Sequence, residues 1–199
     1  ATLRNSERIV YVVQPFGTPA IERLIVWAKI DDEFEDRASA VLDITVPWDT
    51  RLEIEVGRGE IHVTGPIFGD GVLRTDTGEV RVVKATSSYS IETRSGDIHV
   101  GDLKGTLDAR SEVGAIPVSG VFLPRLPNRL ETVYGDVEVV LFGEADIQLS
   151  GATVNGRIEV AGVDGLVVGD KQVSGTLGRG DATLEISVEH GSIAIRTVP

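Results

Sequence analysis

Four acidic residues that directly follow glycines are the first residues here whose type and spacing could do chemistry. They are Glu60, Glu79, Asp97 and Asp136. Carboxylates brought into one row could bind calcium or a cationic partner. Asp and Glu beside glycine are also ordinary turn residues, and carboxylates about 5 Å apart in water repel by only about 1 kcal/mol. We favour turn residues that face water, and we keep the row as the first outward surface to test for a partner.

The histidines do not predict a metal site. His62 and His99 occupy the same outward position in two repeats that are separated by a third, so we expect them about 9 to 10 Å apart. That separation is too long for one metal ion, and His190 falls at a different position of its repeat. We predict no metal ion and no cofactor.

No motif predicts catalysis. The chain has no cysteine, and it contains no nucleophile elbow, P-loop or dinucleotide fingerprint. Polysaccharide-acting β-helix enzymes are the enzymatic alternative, since carboxylates on one sheet can act as acid and base. Such chemistry needs two carboxylates that converge on one bond with separated pKa values. A regular acidic row offers no such asymmetry, so we predict that the chain is not an enzyme.

The charge and hydropathy of the chain limit its partners. The net charge of -12 opposes nucleic acid, because no basic stripe would offset the repulsion. The longest apolar run, at residues 24–30, is far shorter than the roughly 20 residues that a membrane span needs. We therefore predict no nucleic-acid partner and no membrane-embedded segment in this chain.

Three phenylalanines and one tripeptide are further surface candidates. Phe68, Phe122 and Phe142 follow apolar strands, and we expect them to cover the ends of the core. If they were exposed together, they would form a hydrophobic partner patch. The tripeptide Arg179-Gly180-Asp181 matches the one that integrins recognise, but a glycine-rich approach to the last repeat explains it structurally.

The elements that position these residues follow a glycine repeat. Each of seven glycines is followed by apolar residues at its second and fourth positions, which places both on one face of a strand. A second strand precedes each glycine. Spacings of 19, 18, 18, 21, 21 and 35 residues separate the glycines, which are Gly59, Gly78, Gly96, Gly114, Gly135, Gly156 and Gly191.

Outward charges on the strand before the glycine alternate in sign between repeats, at Glu55, Arg74, Glu92, Arg110 and Glu131. If consecutive repeats stack in register about 4.8 Å apart, each charge lies beside its opposite. The sequence therefore predicts an all-β fold, a single-chain parallel β-helix or solenoid of about seven coils. Right-handed winding is favoured, because parallel crossover connections are overwhelmingly right-handed.

We divide the chain into an N-terminal β-rich cap, residues 1–50, and one continuous solenoid domain, residues 51–199. β-branched segments at 9–13 and 40–46 predict strands for the cap. A glycine-rich insertion at 163–181 predicts a loop or short hairpin that leaves the stack. The chain ends soon after the last repeat, so we expect either an exposed edge on the terminal coil or a longer native chain.

With the repeats laid out, the chain resembles the bacterial putative-adhesin family, a domain of unknown function with a β-solenoid fold. The resemblance rests on Leu-Asp-Ile-Thr-Val-Pro at 42–47, on units such as Thr-Arg-Ser-Gly-Asp-Ile-His-Val at 93–100, and on Gly-Asp-Ala-Thr-Leu-Glu-Ile at 180–186. It covers about residues 40–197. It implies an extracytoplasmic, often membrane-tethered protein linked to adhesion or envelope sensing, and it brings no catalytic residues.

The function predicted on this basis is a non-enzymatic binding or scaffold domain at the bacterial cell envelope, periplasmic or at the cell surface. Its partner would be a protein or a glycan, and a segment before Ala1 could tether it. We expect a monomer or a small homo-oligomer. The alternative is a self-assembling solenoid similar to the bactofilins, which polymerise end to end in the cytoplasm, and a polysaccharide-acting enzyme is a distant third. Strands in the N-terminal cap would hinder polymerisation.

Overall fold

The structure is a computed structural model that describes residues 47–124 and 127–198. These residues form strands, turns and bends without any helix, so the all-β prediction is confirmed for this part of the chain. From Trp48 onward they belong to one compact unit. The strands predicted at 9–13 and 40–46, and with them residues 1–46 of the N-terminal cap, lie outside the described residues. Over the described ranges, no helix is long and apolar enough to cross a membrane.

The strands are short and follow one another closely. The first eight are β1 (Leu52–Arg58), β2 (Ile61–Ile67), β3 (Gly71–Thr77), β4 (Val80–Ala85), β5 (Ser88–Ser95), β6 (Ile98–Val113), β7 (Ile116–Phe122) and β8 (Asn128–Tyr134). The next seven are β9 (Val137–Phe142), β10 (Ile147–Asn155), β11 (Ile158–Ala161), β12 (Leu166–Val168), β13 (Gln172–Leu177), β14 (Ala182–His190) and β15 (Ile193–Val198).

The strands pair in two ladders that are joined through β6. Ladder A has the order β1-β3-β5-β6-β8-β14-β10-β13-β12, and ladder B has the order β2-β4-β6-β7-β9-β15-β11. The pairs that β13 makes with β10 and β12 are antiparallel. The others are parallel. Strand β6 serves both ladders because residues 98–105 pair in ladder B and residues 106–113 pair in ladder A. Its register with β7 shifts between Val100 and Leu103, where Asp102 has a φ of 53°.

The glycines at the bends stack directly on one another. A Cβ on Gly78 would lie 2.0 Å from the carbonyl oxygen of Gly59, and a Cβ on Gly191 would lie 2.0 Å from that of Gly135. Gly78 and Gly191 also have φ values of 144° and 150°, which other residues rarely adopt. The bend therefore excludes side chains for two independent reasons, close approach and backbone conformation.

A hydroxyl group three residues before the glycine completes most bends. Thr132 Oγ1 donates to the carbonyl oxygen of Gly114 at 2.9 Å, and Thr153 Oγ1 donates to that of Gly191 at 2.7 Å. Thr75, Thr93 and Ser111 make the same contact with the preceding glycine. A buried hydroxyl needs such a partner to offset its desolvation. Val188 stands at this position in the last repeat, so that bend lacks the hydroxyl.

The apolar columns of the repeat form the core. At the second position after the glycine, the side chains are at most 4% exposed in six repeats, namely Ile61, Val80, Ile98, Ile116, Val137 and Ile193. Burying a side chain of this size stabilises the fold by about 1.5 to 3 kcal/mol. The seventh member, Ile158, is only half-buried, because β11 lies at the end of ladder B.

The last repeat does not end the stack. Strand β14 lies between β8 and β10, and β15 lies between β9 and β11. The repeat of Gly191 is therefore inserted between the repeats of Gly135 and Gly156. The expectation that consecutive repeats stack throughout, with the terminal repeat at an exposed edge, is wrong for this part of the chain. The insertion at 163–181 supplies the chain length that the return requires.

That insertion forms the β12–β13 hairpin, which pairs with β10 and extends ladder A. The sequence predicted a loop or short hairpin that leaves the stack. The hairpin is present, but it pairs with the stack instead of leaving it. Lys171 Nζ donates to the carbonyl oxygen of Gly156, where the next repeat would otherwise supply a hydroxyl. The N–H of Thr153 donates to the carbonyl oxygen of Lys171 at 3.0 Å. The hairpin thus covers the end of ladder A, whereas β11 pairs on one side only within the described residues.

Candidate functional site

Two members of the acidic row bond to backbone at the bends. Asp97 Oδ1 accepts the N–H of Ala115 at 2.8 Å, and Asp136 Oδ1 accepts the N–H of Ser192 at 2.7 Å. Each donor follows the glycine of the next stacked repeat. Ladder bonds use the N–H groups of Gly114 and Ile116 on either side of Ala115. The short Asp side chain therefore accepts a hydrogen bond from the backbone N–H that does not take part in the ladder.

The two glutamates of the row lie close to basic side chains two residues further along the chain. Glu79 Oε1 lies 2.6 Å from Arg81 Nη2, and Glu60 Oε2 lies 3.4 Å from His62 Nε2. Exposed pairs of this kind contribute at most about 1 kcal/mol each. These contacts support the interpretation as turn residues. In the described ranges, no group of three or more histidine or acidic side chains could hold a metal ion.

The histidines lie at separate places. His62 and His99 are in register on either side of Arg81, two strand spacings or about 10 Å apart. His190 stacks on Tyr134, with ring centroids 4.7 Å apart and an angle of 4° between the planes. All three have contacts that an ordinary surface side chain would make.

The phenylalanines do not form one surface. Phe122 is buried at 4% exposure, and Phe142 is half-buried. Phe68 is 53% exposed, and its ring packs edge-on against Trp48 at a centroid distance of 5.4 Å. Only Phe122 clearly covers the core as expected, so the joint hydrophobic patch of Phe68, Phe122 and Phe142 is not present.

The tripeptide at Arg179 is held by ion pairs. Arg179 Nη2 lies 3.1 Å from Asp146 Oδ2 and 2.8 Å from Asp181 Oδ2. Asp146 Oδ1 also accepts the backbone N–H of Arg179 at 2.8 Å. That backbone bond, followed by the side-chain bond, lowers the pKa of the Asp146 carboxyl. The segment anchors the end of the hairpin to the loop before β10, which supports its structural interpretation.

The alternating charges of ladder A are in register, as the sequence predicts. Glu55, Arg74, Glu92, Arg110 and Glu131 lie side by side across five strands. Arg74 Nε is 3.6 Å from Glu92 Oε2, and Arg110 Nε is 3.9 Å from Glu131 Oε2. The row stops at β14, where Ser187 and then Ala152 follow. This outward face is locally balanced in charge although the chain is acidic.

A groove of about 960 Å³ crosses the outward face of ladder A near the beginnings of its strands. It runs from Gly71 on β3 to Thr176 on β13, and so includes both the regular and the inserted repeats. Sequence reasoning missed it, because its lining comes from seven strands whose final order the repeat does not reveal. The exposed side chains that line it include Ser90, Gln148, Ser150, Ser174, Thr176 and Thr183.

Among the described residues, two buried polar atoms lack a hydrogen-bond partner, and both belong to the lining of this groove. They are Tyr89 Oη and Arg129 Nε. The Tyr89 ring fits because Gly71 has no side chain on the neighbouring strand. Burial, and secondly the Asp70 carboxylate, raise the pKa of Tyr89 to about 12, so its hydroxyl stays protonated. Arg129 Nε lies 3.3 Å from Glu131 Oε2, but outside hydrogen-bonding geometry.

The described residues form an all-β fold with stacked glycine bends and a groove on its outward face. Residues 47–196 match the model of the Toastrack family, a domain of unknown function also called DUF4097. The match covers most of the chain, so the chain belongs to this family and the predicted resemblance is confirmed.

One similar solved structure is that of a putative cell adhesion protein from Clostridium sporogenes. Its identity to this chain is 11% and the TM-score is 0.38, over 76% of this chain and 93% of the other. No curated protein matches the chain significantly.

Proposed function

We propose that the chain is a non-enzymatic binding or scaffold domain of the bacterial cell envelope, built as a parallel β-solenoid of seven stacked repeats with an N-terminal β cap. Two parallel ladders joined at stacked glycine bends support the solenoid. The observation that carries the binding function is the groove on ladder A, which crosses seven neighbouring strands. Strands held in ladders on both sides form a rigid floor for a ligand.

The state of the acidic side chains supports a non-enzymatic role. Asp97 and Asp136 are bonded to backbone N–H groups, and Glu79 is paired with Arg81. The pKa of the Asp146 carboxyl is lowered, which is the wrong direction for a general acid at neutral pH. Glycosidic cleavage would need a second carboxyl with a raised pKa facing it.

The hairpin disfavours the bactofilin-like alternative. End-to-end assembly of solenoids requires that the terminal strands of both ladders pair with the next molecule. In ladder A, β13 runs antiparallel to β10 and occupies that edge of it, and β12 pairs in turn with the outer edge of β13. A second molecule would have to displace the hairpin before its parallel strands could continue the ladder.

Sedimentation velocity over a wide concentration range tests the assembly part of the proposal. We expect a monomer or a small oligomer of fixed size. Filaments that grow with concentration would instead support the alternative.

The proposed location at the cell envelope is tested by a separate experiment. The complete gene, with a tag at its C-terminal end, is expressed in a bacterium whose cytoplasmic and periplasmic marker enzymes are followed in parallel. We expect the tagged protein to fractionate with the envelope or to be accessible to protease on intact cells. Fractionation with the cytoplasmic marker would contradict the proposed location.

A further inference from the structure

We propose that the groove on ladder A binds a neutral linear glycan, an inference that rests on the proposed binding function and names its ligand class. The groove extends over seven adjacent strands from β3 to β13. Six strand spacings of about 4.8 Å give it a length of about 29 Å. That shape suits an extended chain molecule that lies across the strands.

The charge of the groove selects a neutral ligand. Its charged lining consists of three carboxylates and two guanidinium groups, those of Asp70, Asp108, Glu185, Arg110 and Arg129. Arg110 Nε lies 3.2 Å from Asp108 Oδ1, and Glu185 is in register with Arg129. A polyanion would meet the carboxylates, and a polycation would compete with the guanidinium groups for them. Opposite charges that already lie together favour neither ligand.

The remaining side chains favour hydroxyl groups as the ligand's functional groups. Ser90, Ser150 and Ser174 are exposed in the groove, and each hydroxyl can both donate and accept. Sugar hydroxyls have the same dual capacity, so donors and acceptors match in either direction. Tyr89 Oη and Arg129 Nε are buried donors that lack hydrogen-bond partners in the same lining. A ligand hydroxyl or a bridging water could satisfy such groups.

An extended peptide fits less well. Peptides commonly bind a sheet by adding a strand at its edge, but this groove crosses strands whose backbone groups are already paired. Peptide side chains would also need apolar pockets. Leu149 and Leu184 are each 1% exposed, so they offer no such anchor. Val72 is half-buried and Pro127 is exposed, but they lie on β3 and just before β8, which are not adjacent in ladder A, so they do not form a continuous apolar pocket.

The test uses the full chain and immobilised hexasaccharides of defined linkage. The neutral panel contains β-1,4-glucose, α-1,4-glucose, β-1,4-xylose and β-1,4-N-acetylglucosamine hexamers. Hexagalacturonate, a glucosamine hexamer and an array of extended peptides serve as acidic, cationic and peptide probes. We expect saturable binding to at least one neutral hexamer, and affinity for the charged hexamers and peptides that is at least tenfold weaker.

Matched variants locate the binding. Ser90 and Ser95 are both exposed on β5, but only Ser90 lines the groove. Ser90→Trp should weaken binding at least tenfold, whereas Ser95→Trp should leave it unchanged. Ser150→Trp on β10 is a second variant that blocks the same groove, and it should weaken binding as Ser90→Trp does. An unchanged thermal unfolding curve verifies that each variant is folded. Equal binding by the Ser90 and Ser95 variants would overturn the proposed site.

Other outcomes separate this inference from the proposed function. If the folded chain binds no neutral hexamer, or prefers a charged hexamer or a peptide, the glycan assignment is wrong while a binding domain remains. Chromatography of the same samples looks for shortened sugars. Cleavage of a hexamer that Ser90→Trp prevents would instead contradict the non-enzymatic function and leave the groove as the sugar site.

Discussion

The molecule has two regions, the repeats from Gly59 to Gly135 and the two later repeats of Gly156 and Gly191. Both regions have the same bends, but their repeats stack in a different order along the chain. In the first region, each repeat stacks on the one before it, and the spacing of glycines stays between 18 and 21 residues. In the second, the repeat of Gly191 lies between the repeats of Gly135 and Gly156. The bend glycines nevertheless contact each other equally closely in both regions. The sequence within a repeat therefore specifies how that repeat stacks. The segment that connects two repeats determines which neighbour the second one stacks on.

Replacing a bend glycine should have the largest effect in both regions. In Gly78→Ala and Gly191→Ala, the new Cβ would lie 2.0 Å from a carbonyl oxygen. Backbone strain and overpacking together predict a loss of about 2 to 6 kcal/mol in the free energy of unfolding. Urea denaturation measures it. Gly57→Ala, with no atom within 4 Å of its Cβ, is the control and should cost less than about 1 kcal/mol. If Gly191→Ala behaved like that control, the inserted repeat would not be stacked as described.

The bend hydroxyls should show the next largest effect. Thr132→Val and Thr153→Val each remove a buried hydroxyl that donates to a glycine carbonyl, one in each region. We expect each to lower the unfolding free energy by about 1 to 2 kcal/mol, since the carbonyl loses its donor. Val188→Thr places a hydroxyl where the pattern lacks one and should cost less than either. If Thr132→Val lowered the free energy of unfolding and Thr153→Val left it unchanged, the two regions would pack differently.

Asp136 connects the two regions and should have a smaller effect. Its carboxylate accepts the N–H of Ser192, which belongs to the inserted repeat. Asp136→Ala should cost about 1 kcal/mol in chemical denaturation, because an exposed N–H can be partly satisfied by water. Glu60→Ala removes only an exposed pair with His62 and should cost less than about 0.5 kcal/mol. Equal costs would show that the Asp136 contact adds nothing beyond a surface charge.

The smallest effect should come from Asp146, which holds the hairpin through Arg179. The folded pKa of Asp146 is lowered, so its stabilisation is fully present above the unfolded pKa of about 4 and is lost as pH falls through the folded value. Asp146→Asn should therefore lower Tm slightly at pH 7. The difference from the unmodified chain should shrink below about pH 4. A difference that is constant down to pH 2 would contradict the ion pair.

The sequence predicted the strands, the inward columns and the alternating charges, because each depends on positions within one repeat. It also predicted that Asp97 is a turn residue, but it did not predict that the Asp97 carboxylate accepts the backbone N–H of Ala115. It could not predict the insertion of the last repeat, since β14 fits beside β8 or at the end of the stack by the same pattern. The groove was missed for the same reason. Its far side is built by Ser174 on β13, which reaches ladder A only through that rearrangement.

The position of the last repeat sets the strand order of ladder A and so the lining of the groove, and engineered disulfides can test that position because the chain has no cysteine. Glu131 is in register with Ser187 on β14, and Ala152 lies one strand further. Neighbouring strands place Cα atoms about 5 Å apart, within the range of a disulfide, whereas two spacings of about 10 Å exceed it. After mild oxidation, mass spectrometry should find an intramolecular disulfide in the Glu131→Cys, Ser187→Cys variant and free thiols in the Glu131→Cys, Ala152→Cys variant. The opposite result would show that the repeats stack in chain order and would contradict the structure of the groove.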